Sequence, residues 1–258
     1  MRQPKVYALF VALLVISLFT GSCSQEEAKK PELLIYCGIT MIRPMSEIAD
    51  IIEGQEGCEI VITKGGSGNL LKSIETNQVG DLYLPGSDSY IQTCLEKGLV
   101  TETVFVGYNQ AAMMVQKGNP KGITADLENL ANEDYYVVIG NPDSGSIGKE
   151  TKKILEKKGI FDAVLSNARQ LTTDSKDLVS VLANKEADLV INWYATSVWP
   201  ENAPYVDVLP IDEEYAAKKK LVIGLLSTSE HPDIARKFME YAASEQGQAI
   251  FDKYGLYE

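Results

Sequence analysis

The chain is short of the residues that most metal and nucleophile chemistry needs. Its 258 residues include one histidine, His231, and four cysteines. Those cysteines are scattered at Cys23, Cys37, Cys58 and Cys94, and no spacing among them matches a zinc site. A nucleotide-binding loop would end in Gly-Lys-Ser/Thr, and the glycine run here continues as Gly68-Asn69-Leu70. No Gly-x-Ser-x-Gly elbow occurs, because Gly65-Gly66-Ser67-Gly68 has its glycines in the wrong places. These absences argue against an enzyme, a metal centre and a resident cofactor. Positive charge is scarce as well: 24 Lys and Arg stand against 36 Asp and Glu, a net charge of −12. Such a field disfavours nucleic acid and anionic membrane surfaces as partners. Any anion the chain binds must be held by local donors.

The first residues read as an address. Arg2 and Lys5 precede an apolar run from Val6 to Phe19, which is followed by Thr20-Gly21-Ser22-Cys23. The run is shorter than the roughly 20 residues of a spanning helix, and the pattern is that of a secretory signal. Because the small residues end on a cysteine, the segment resembles a bacterial lipobox. Residues 1–22 are then a lipoprotein signal peptide, Cys23 the lipidated residue and membrane anchor, and the polar stretch 23–30 a tether. Cleavage leaves three cysteines, an odd number that is no disulfide framework. Cys37 falls at the end of one strand and Cys58 at the start of the next, so buried thiols are expected.

Beyond the tether the pattern alternates strand and helix. Leu33 to Cys37, Cys58 to Thr63 and Asp81 to Leu84 are short apolar runs. Between them Met45, Ile48, Ile51 and Ile52, then Leu70, Leu71 and Ile74, recur at helical spacing. This order predicts a parallel, doubly wound sheet, in which ligands sit beyond the carboxyl ends of the strands. A long extended segment from Val104 to Gln116 separates this series from a second one. The second has strands at Tyr135–Gly140, Arg169–Thr172 and Ala187–Tyr194, with helices opening near Ser146 and at Asp174 or Ser175. Extended segments at Val206–Pro210 and Leu221–Leu226 and two closing helices complete the chain.

Lys64-Gly65-Gly66-Ser67-Gly68-Asn69 joins the second strand to its helix. A helix start leaves N–H groups free and suits an anion. Thr40 stands just before the preceding helix, as Ser67 does before this one. Either hydroxyl could be a plain cap or a ligand donor.

The two ends of the chain carry a family resemblance. Ser227 to Phe238, with Ser244 to Leu256, resembles the closing helices of periplasmic solute-binding proteins of bacterial ABC importers. Gly66-Ser67-Gly68-Asn69-Leu70 and Ala187 to Tyr194 are similar to the molybdate- and tungstate-binding group. The resemblance covers roughly residues 31–258. It implies an α/β fold of type II, with two doubly wound lobes joined by a two-strand hinge. One lobe takes 31–108 plus 206–258, the other 109–205. It further implies an extracytoplasmic lipoprotein, acting as a monomer, that binds a tetrahedral oxyanion and delivers it to the importer permease. Thr40 and Ser67 map to the two ligand hydroxyls, and the region of Ile147 and Ser175 to the backbone donors. The family's tyrosine maps to Trp193, or to Tyr194 with a shift of one residue. Phosphate, sulfate or another small anionic solute is the alternative ligand. Asp143 or Asp174 would supply the acceptor that a protonated anion needs.

Overall fold

A computed structural model describes residues 30–256. The expected signal peptide, the expected lipidation site Cys23 and the expected tether up to residue 29 lie outside the described residues. Among the described residues the strands form two five-stranded sheets.

The first sheet is built around β1 (Glu32–Gly38), whose apolar residues are buried on both faces. It pairs in parallel with β2 (Glu59–Gly65) and β3 (Leu82–Leu84). The register sets Gly38 against Gly65 and Cys37 against Leu84, so the loops that follow all three strands leave from one end of the sheet. After β1 comes a 3-10 turn (Ile39–Met41) and then α1 (Ile42–Glu56). After β2 comes α2 (Ser67–Asn77), and after β3 comes α3 (Asp88–Glu96). Of the remaining strands, β10 (Lys219–Leu226) is inserted between β3 and β4 (Val100–Asn109) and runs antiparallel to both. The sheet is therefore mixed rather than wholly parallel.

Both faces of this sheet are covered, as its two-sided apolar strands require. On one face α1 packs with α7 (Pro232–Ala243) and α8 (Glu245–Lys253) over Leu33, Ile35, Met45, Ile48, Phe238 and Phe251. On the other, α2 and α3 cover Tyr36, Ile74, Tyr83 and Ile91. The closing helices form as their sequence suggests. Pro232 starts α7, where its missing N–H costs nothing. Ser244 caps α8 by accepting from the Gly247 N–H at 3.2 Å. Asp81, at the other end of the sheet, accepts from the Leu34 N–H at 2.8 Å and the Ser229 hydroxyl at 2.6 Å. This buried carboxylate ties the start of β3 to the C-terminal part of the chain.

The second sheet repeats the plan. β6 (Val137–Gly140) pairs in parallel with β7 (Gln170–Thr172) and β8 (Leu189–Trp193). β5 (Ala111–Gln116) runs antiparallel to β8 and to the edge strand β9 (Val206–Leu209). Between these strands lie α4 (Ser146–Lys158), α5 (Phe161–Asn167) and α6 (Ser175–Ala183). Their core centres on Leu130, Ile139, Ile154, Leu178, Ile191 and Trp193. Asp188 matches Asp81 here, accepting from the Tyr136 N–H at 2.9 Å.

The chain passes between the sheets twice. The first passage is Gln110 alone, between β4 and β5; the second is residues 210–218, between β9 and β10. The expected break at 205/206 needs correction. Val206–Leu209 pairs with Met113–Gln116 of the second sheet, so the chain leaves that sheet after Leu209. Nothing in the local pattern of a short apolar strand specifies which sheet it joins. Cys37, Cys58 and Cys94 are buried and form no disulfide among the described residues.

Candidate functional site

The loops from the carboxyl ends of both sets of parallel strands meet around one small cavity. The first sheet contributes Gly38–Thr40, Gly65–Ser67 and Gly86; the second contributes Gly145–Ile147 and Asp174–Ser175. The free volume is about 10 Å³, the room that a single water needs. At this separation the two halves nearly touch across the cavity.

Glycine makes this closeness possible. A Cβ on Gly66 would lie 2.8 Å from the Thr173 carbonyl oxygen and 2.9 Å from that of Ser144, both across the cleft. A Cβ on Gly86 would lie 2.3 Å from Ser146 Oγ. Three side-chain contacts also cross the cleft. Arg43 of α1 is ion-paired with Glu201, in the segment joining β8 to β9, and sits 5.1 Å over the Trp199 ring. Lys149 of α4 lies 4.9 Å over the Tyr90 ring of α3.

The local sequence leaves donors open at the cavity. The 3-10 turn, α2 and α4 follow Gly38, Gly66 and Gly145, and none has a side-chain cap. Where the capping residue does not line the cavity, α3 is capped by the Ser87 side chain and α8 by that of Ser244. Uncapped starts present N–H groups and the positive end of the helix dipole. Of the four helix starts at the cavity, α6 alone is capped, by Asp174, whose Oδ1 accepts from the Lys176 and Asp177 N–H groups at 2.8 and 3.2 Å.

Four hydroxyls join these backbone groups, those of Thr40, Ser67, Ser146 and Ser175. Ser67 Oγ accepts from the Gly86 N–H at 3.0 Å. Its carbonyl accepts at 2.7 Å from the Tyr83 hydroxyl, whose pKa is raised well above the ordinary value, chiefly by burial. Tyr83 therefore stays a donor. Thr40 Oγ1 accepts from Asn109 Nδ2 at 3.4 Å and donates to Met41 Sδ at 2.9 Å. Ser146 Oγ accepts from Trp193 Nε1 at 3.2 Å. Among the described residues no lysine or arginine lines the cavity, and Asp174 is its sole ionisable group. Arg43 and Lys64 line a separate groove of about 670 Å³ that shares Ile39 with the cavity.

Four of the residues singled out from sequence thus come together here: Thr40, Ser67, Ile147 and Ser175. The other two do not. Trp193 is 1% exposed and stands behind Ser146, with its N–H directed at that hydroxyl rather than lining the cavity. Tyr194 is 41% exposed and lines a different pocket beside Gln110 and Pro210, at the passages between the sheets. The reason is that β8 ends at Trp193, and a 3-10 turn (Tyr194–Ser197) then carries Tyr194 off the strand. Asp143 is exposed and lies outside the cavity. Sequence reasoning missed Gly86, Ser146 and Asn109. Ser146 had a legible signal, since Gly145-Ser146 repeats the dipeptide Gly66-Ser67 at the corresponding helix start.

Two α/β lobes with a double passage between them, and a cavity bounded by helix starts from both, define a type II extracytoplasmic binding protein. The chain belongs to the bacterial extracellular solute-binding protein family, which it matches over residues 33–257. It is similar to the molybdate-binding protein ModA of Escherichia coli, with 21% identity over 256 residues, 96% of each chain. Among solved structures it is similar to the periplasmic molybdate-binding protein of Azotobacter vinelandii. That match has a TM-score of 0.75 at 14% identity and covers 88% of this chain and 99% of the other. The sulfate-binding protein SubI of Mycobacterium tuberculosis gives a TM-score of 0.76 at 15% identity, covering 88% and 86%. At these identities the structural likeness concerns the fold. Among the described residues no helix is long and apolar enough to cross a membrane.

Proposed function

We propose that the protein captures a fully ionised tetrahedral oxyanion, molybdate or tungstate, and delivers it to an ABC importer permease. The observation that carries this reading is the cavity's donor set: three uncapped helix starts and four hydroxyls, with no lysine or arginine among the described residues that line it. Neutral dipoles converging in a desolvated space hold a dianion strongly. They also let it leave when the lobes part, which a cationic clamp would resist. Thr40, Ser67 and Ser146 serve as hydroxyl donors, and the backbone at Ile147 and Ser175 supplies N–H groups. The passages at Gln110 and 210–218 act as the hinge, so closure on the ion gives the permease a shape to recognise. Relatives named for molybdate support the choice of ion.

The protein acts as a monomer held to the membrane by a lipid on Cys23. Replacing Cys23 by Ala should release it from the membrane fraction; retention would refute the anchor.

A thermal-shift panel tests the ligand. At 100 times its Kd a ligand stabilises the fold by about 2.7 kcal/mol, or roughly 5–10 °C for a domain of this size. Molybdate and tungstate should produce that shift, and no response to any tetrahedral oxyanion would refute the reading. A second reading, phosphate, is favoured by one observation: Asp174 lines the cavity and could accept the proton that phosphate carries near neutral pH. Under that reading phosphate gives the largest shift and Asp174→Asn abolishes it.

A further inference from the structure

Behind three of the four hydroxyls that line the cavity, those of Thr40, Ser67 and Ser146 but not Ser175, stands a buried donor that does not itself line it, apart from the backbone of Gly86. Gly86 N–H backs Ser67, Asn109 Nδ2 backs Thr40, and Trp193 Nε1 backs Ser146. We propose that Asn109 and Trp193 are positioning residues that turn the Thr40 and Ser146 hydroxyl hydrogens towards the ligand, and so set selectivity for unprotonated over protonated oxyanions. The inference rests on the oxyanion reading above.

A hydroxyl has one hydrogen and two lone pairs. A donor directed at the oxygen from behind occupies a lone pair on that side, so the hydrogen must point elsewhere. Accepting a bond also polarises the O–H, making it a stronger donor and a poorer acceptor. For Ser146 no other acceptor competes for that hydrogen among the described hydrogen bonds. For Thr40 the competitor is the Met41 thioether, a weak acceptor. The hydroxyls with a backing donor are therefore biased towards donation. A dianion with four bare oxygens satisfies them, whereas an anion bearing a proton needs an acceptor that they do not offer.

Asn109 shows how firmly this direction is fixed. It is fully buried at the end of β4, one residue before the passage to the second sheet. Its Nδ2 also donates to the Gly86 carbonyl at 3.2 Å, while its Oδ1 is buried without a partner. Leaving a carbonyl unsatisfied is costly. Turning the amide over would set that oxygen against the Gly86 carbonyl, so the side chain remains with its donors on Thr40 and Gly86. Trp193 is locked in the same way by the β8 core around it.

The test is a selectivity ratio. Kd values for molybdate and for inorganic phosphate are measured by calorimetry at neutral pH on wild type, Trp193→Phe, Ser146→Ala and the double variant. Freed of its backing donor, Ser146 should bind molybdate about 2- to 10-fold more weakly, the worth of one neutral hydrogen bond. Phosphate should not lose affinity, so the ratio shifts towards it. In the Ser146→Ala background, Trp193→Phe should leave the ratio unchanged, because no hydroxyl remains to orient. A purely structural role for Trp193 would weaken both anions by the same factor, and that outcome overturns the inference while leaving the oxyanion reading intact. If wild type binds neither anion, the oxyanion reading itself fails. Should Trp193→Phe not fold, Asn109→Ala measured with and without Thr40→Val makes the same comparison at the other hydroxyl.

Discussion

Gly66→Ala isolates lobe closure from everything else in the molecule. Gly66 has φ −66° and ψ 137°, a conformation open to any residue, so alanine introduces no backbone strain. The added methyl meets only the far side of the cleft, at 2.8 Å from Thr173 O and 2.9 Å from Ser144 O. Both obstacles are backbone atoms and cannot rotate away. Relief requires the lobes to part by roughly half an ångström, and overpacking of this kind costs about 1–3 kcal/mol. Because that cost falls on the closed state alone, it appears as about 5- to 150-fold weaker ligand binding. Stability without added ligand should drop by no more than the few tenths to ~1 kcal/mol lost when glycine at a helix cap becomes alanine. Calorimetry with molybdate and a melting curve without it separate the two effects. Gly54, in α1, is the control. A Cβ there meets nothing within 4 Å, so Gly54→Ala should stabilise the fold by about 0.5–1 kcal/mol and leave affinity alone. Undiminished affinity in Gly66→Ala would mean that binding does not bring the lobes this close, and the closure argument would fall.

Other consequences follow from the packing and the charges. Ser67→Ala removes a cavity donor and also leaves the Gly86 N–H without its acceptor; titration should show weaker oxyanion binding, and melting a loss of about 1–3 kcal/mol. Phe251 is fully buried between α8 and the first sheet, so Phe251→Ala should cost about 3–5 kcal/mol in denaturant unfolding. Glu47 accepts from Lys253 Nζ at 2.8 Å and the Tyr254 hydroxyl at 2.9 Å, and the Lys253 bond holds its carboxyl below the ordinary range. A depressed carboxylate stabilises the fold above its unfolded pKa, and the gain is lost as pH falls through the folded value. Glu47→Gln should thus be less stable than wild type near neutrality, by up to ~1 kcal/mol for so exposed a pair, and equal to it in acid. Burial pushes the Cys37 thiol up and that of Cys94 to about 11, so a thiol reagent at pH 8 should label neither until the chain unfolds.

Thr40 and Ser67 were legible because β-α grammar alone places helix starts at the carboxyl ends of parallel strands. Ile147 and Ser175 followed from the family resemblance. The partners behind them were not legible. Asn109 is 69 residues from Thr40 and Trp193 is 47 from Ser146, and no local pattern pairs residues at such distances. Tyr194 was misplaced for a related reason: one residue beyond a strand end, a 3-10 turn decides which way a side chain faces.

The amino-acid sequence by itself determined the alternation of elements, the apolar faces that must be buried, and the glycine-hydroxyl dipeptides at helix starts. These depend on neighbours within a few residues, where periodicity and steric preference act directly. Tertiary structure decided the insertion of β10 between β3 and β4, the assignment of β9 to the second sheet, and the convergence of both lobes on one cavity. It also decided which buried donors stand behind the hydroxyls of Thr40, Ser67 and Ser146. Such features are set by pairings between distant strands and by donors buried behind the site, and these come together only once the whole chain has packed.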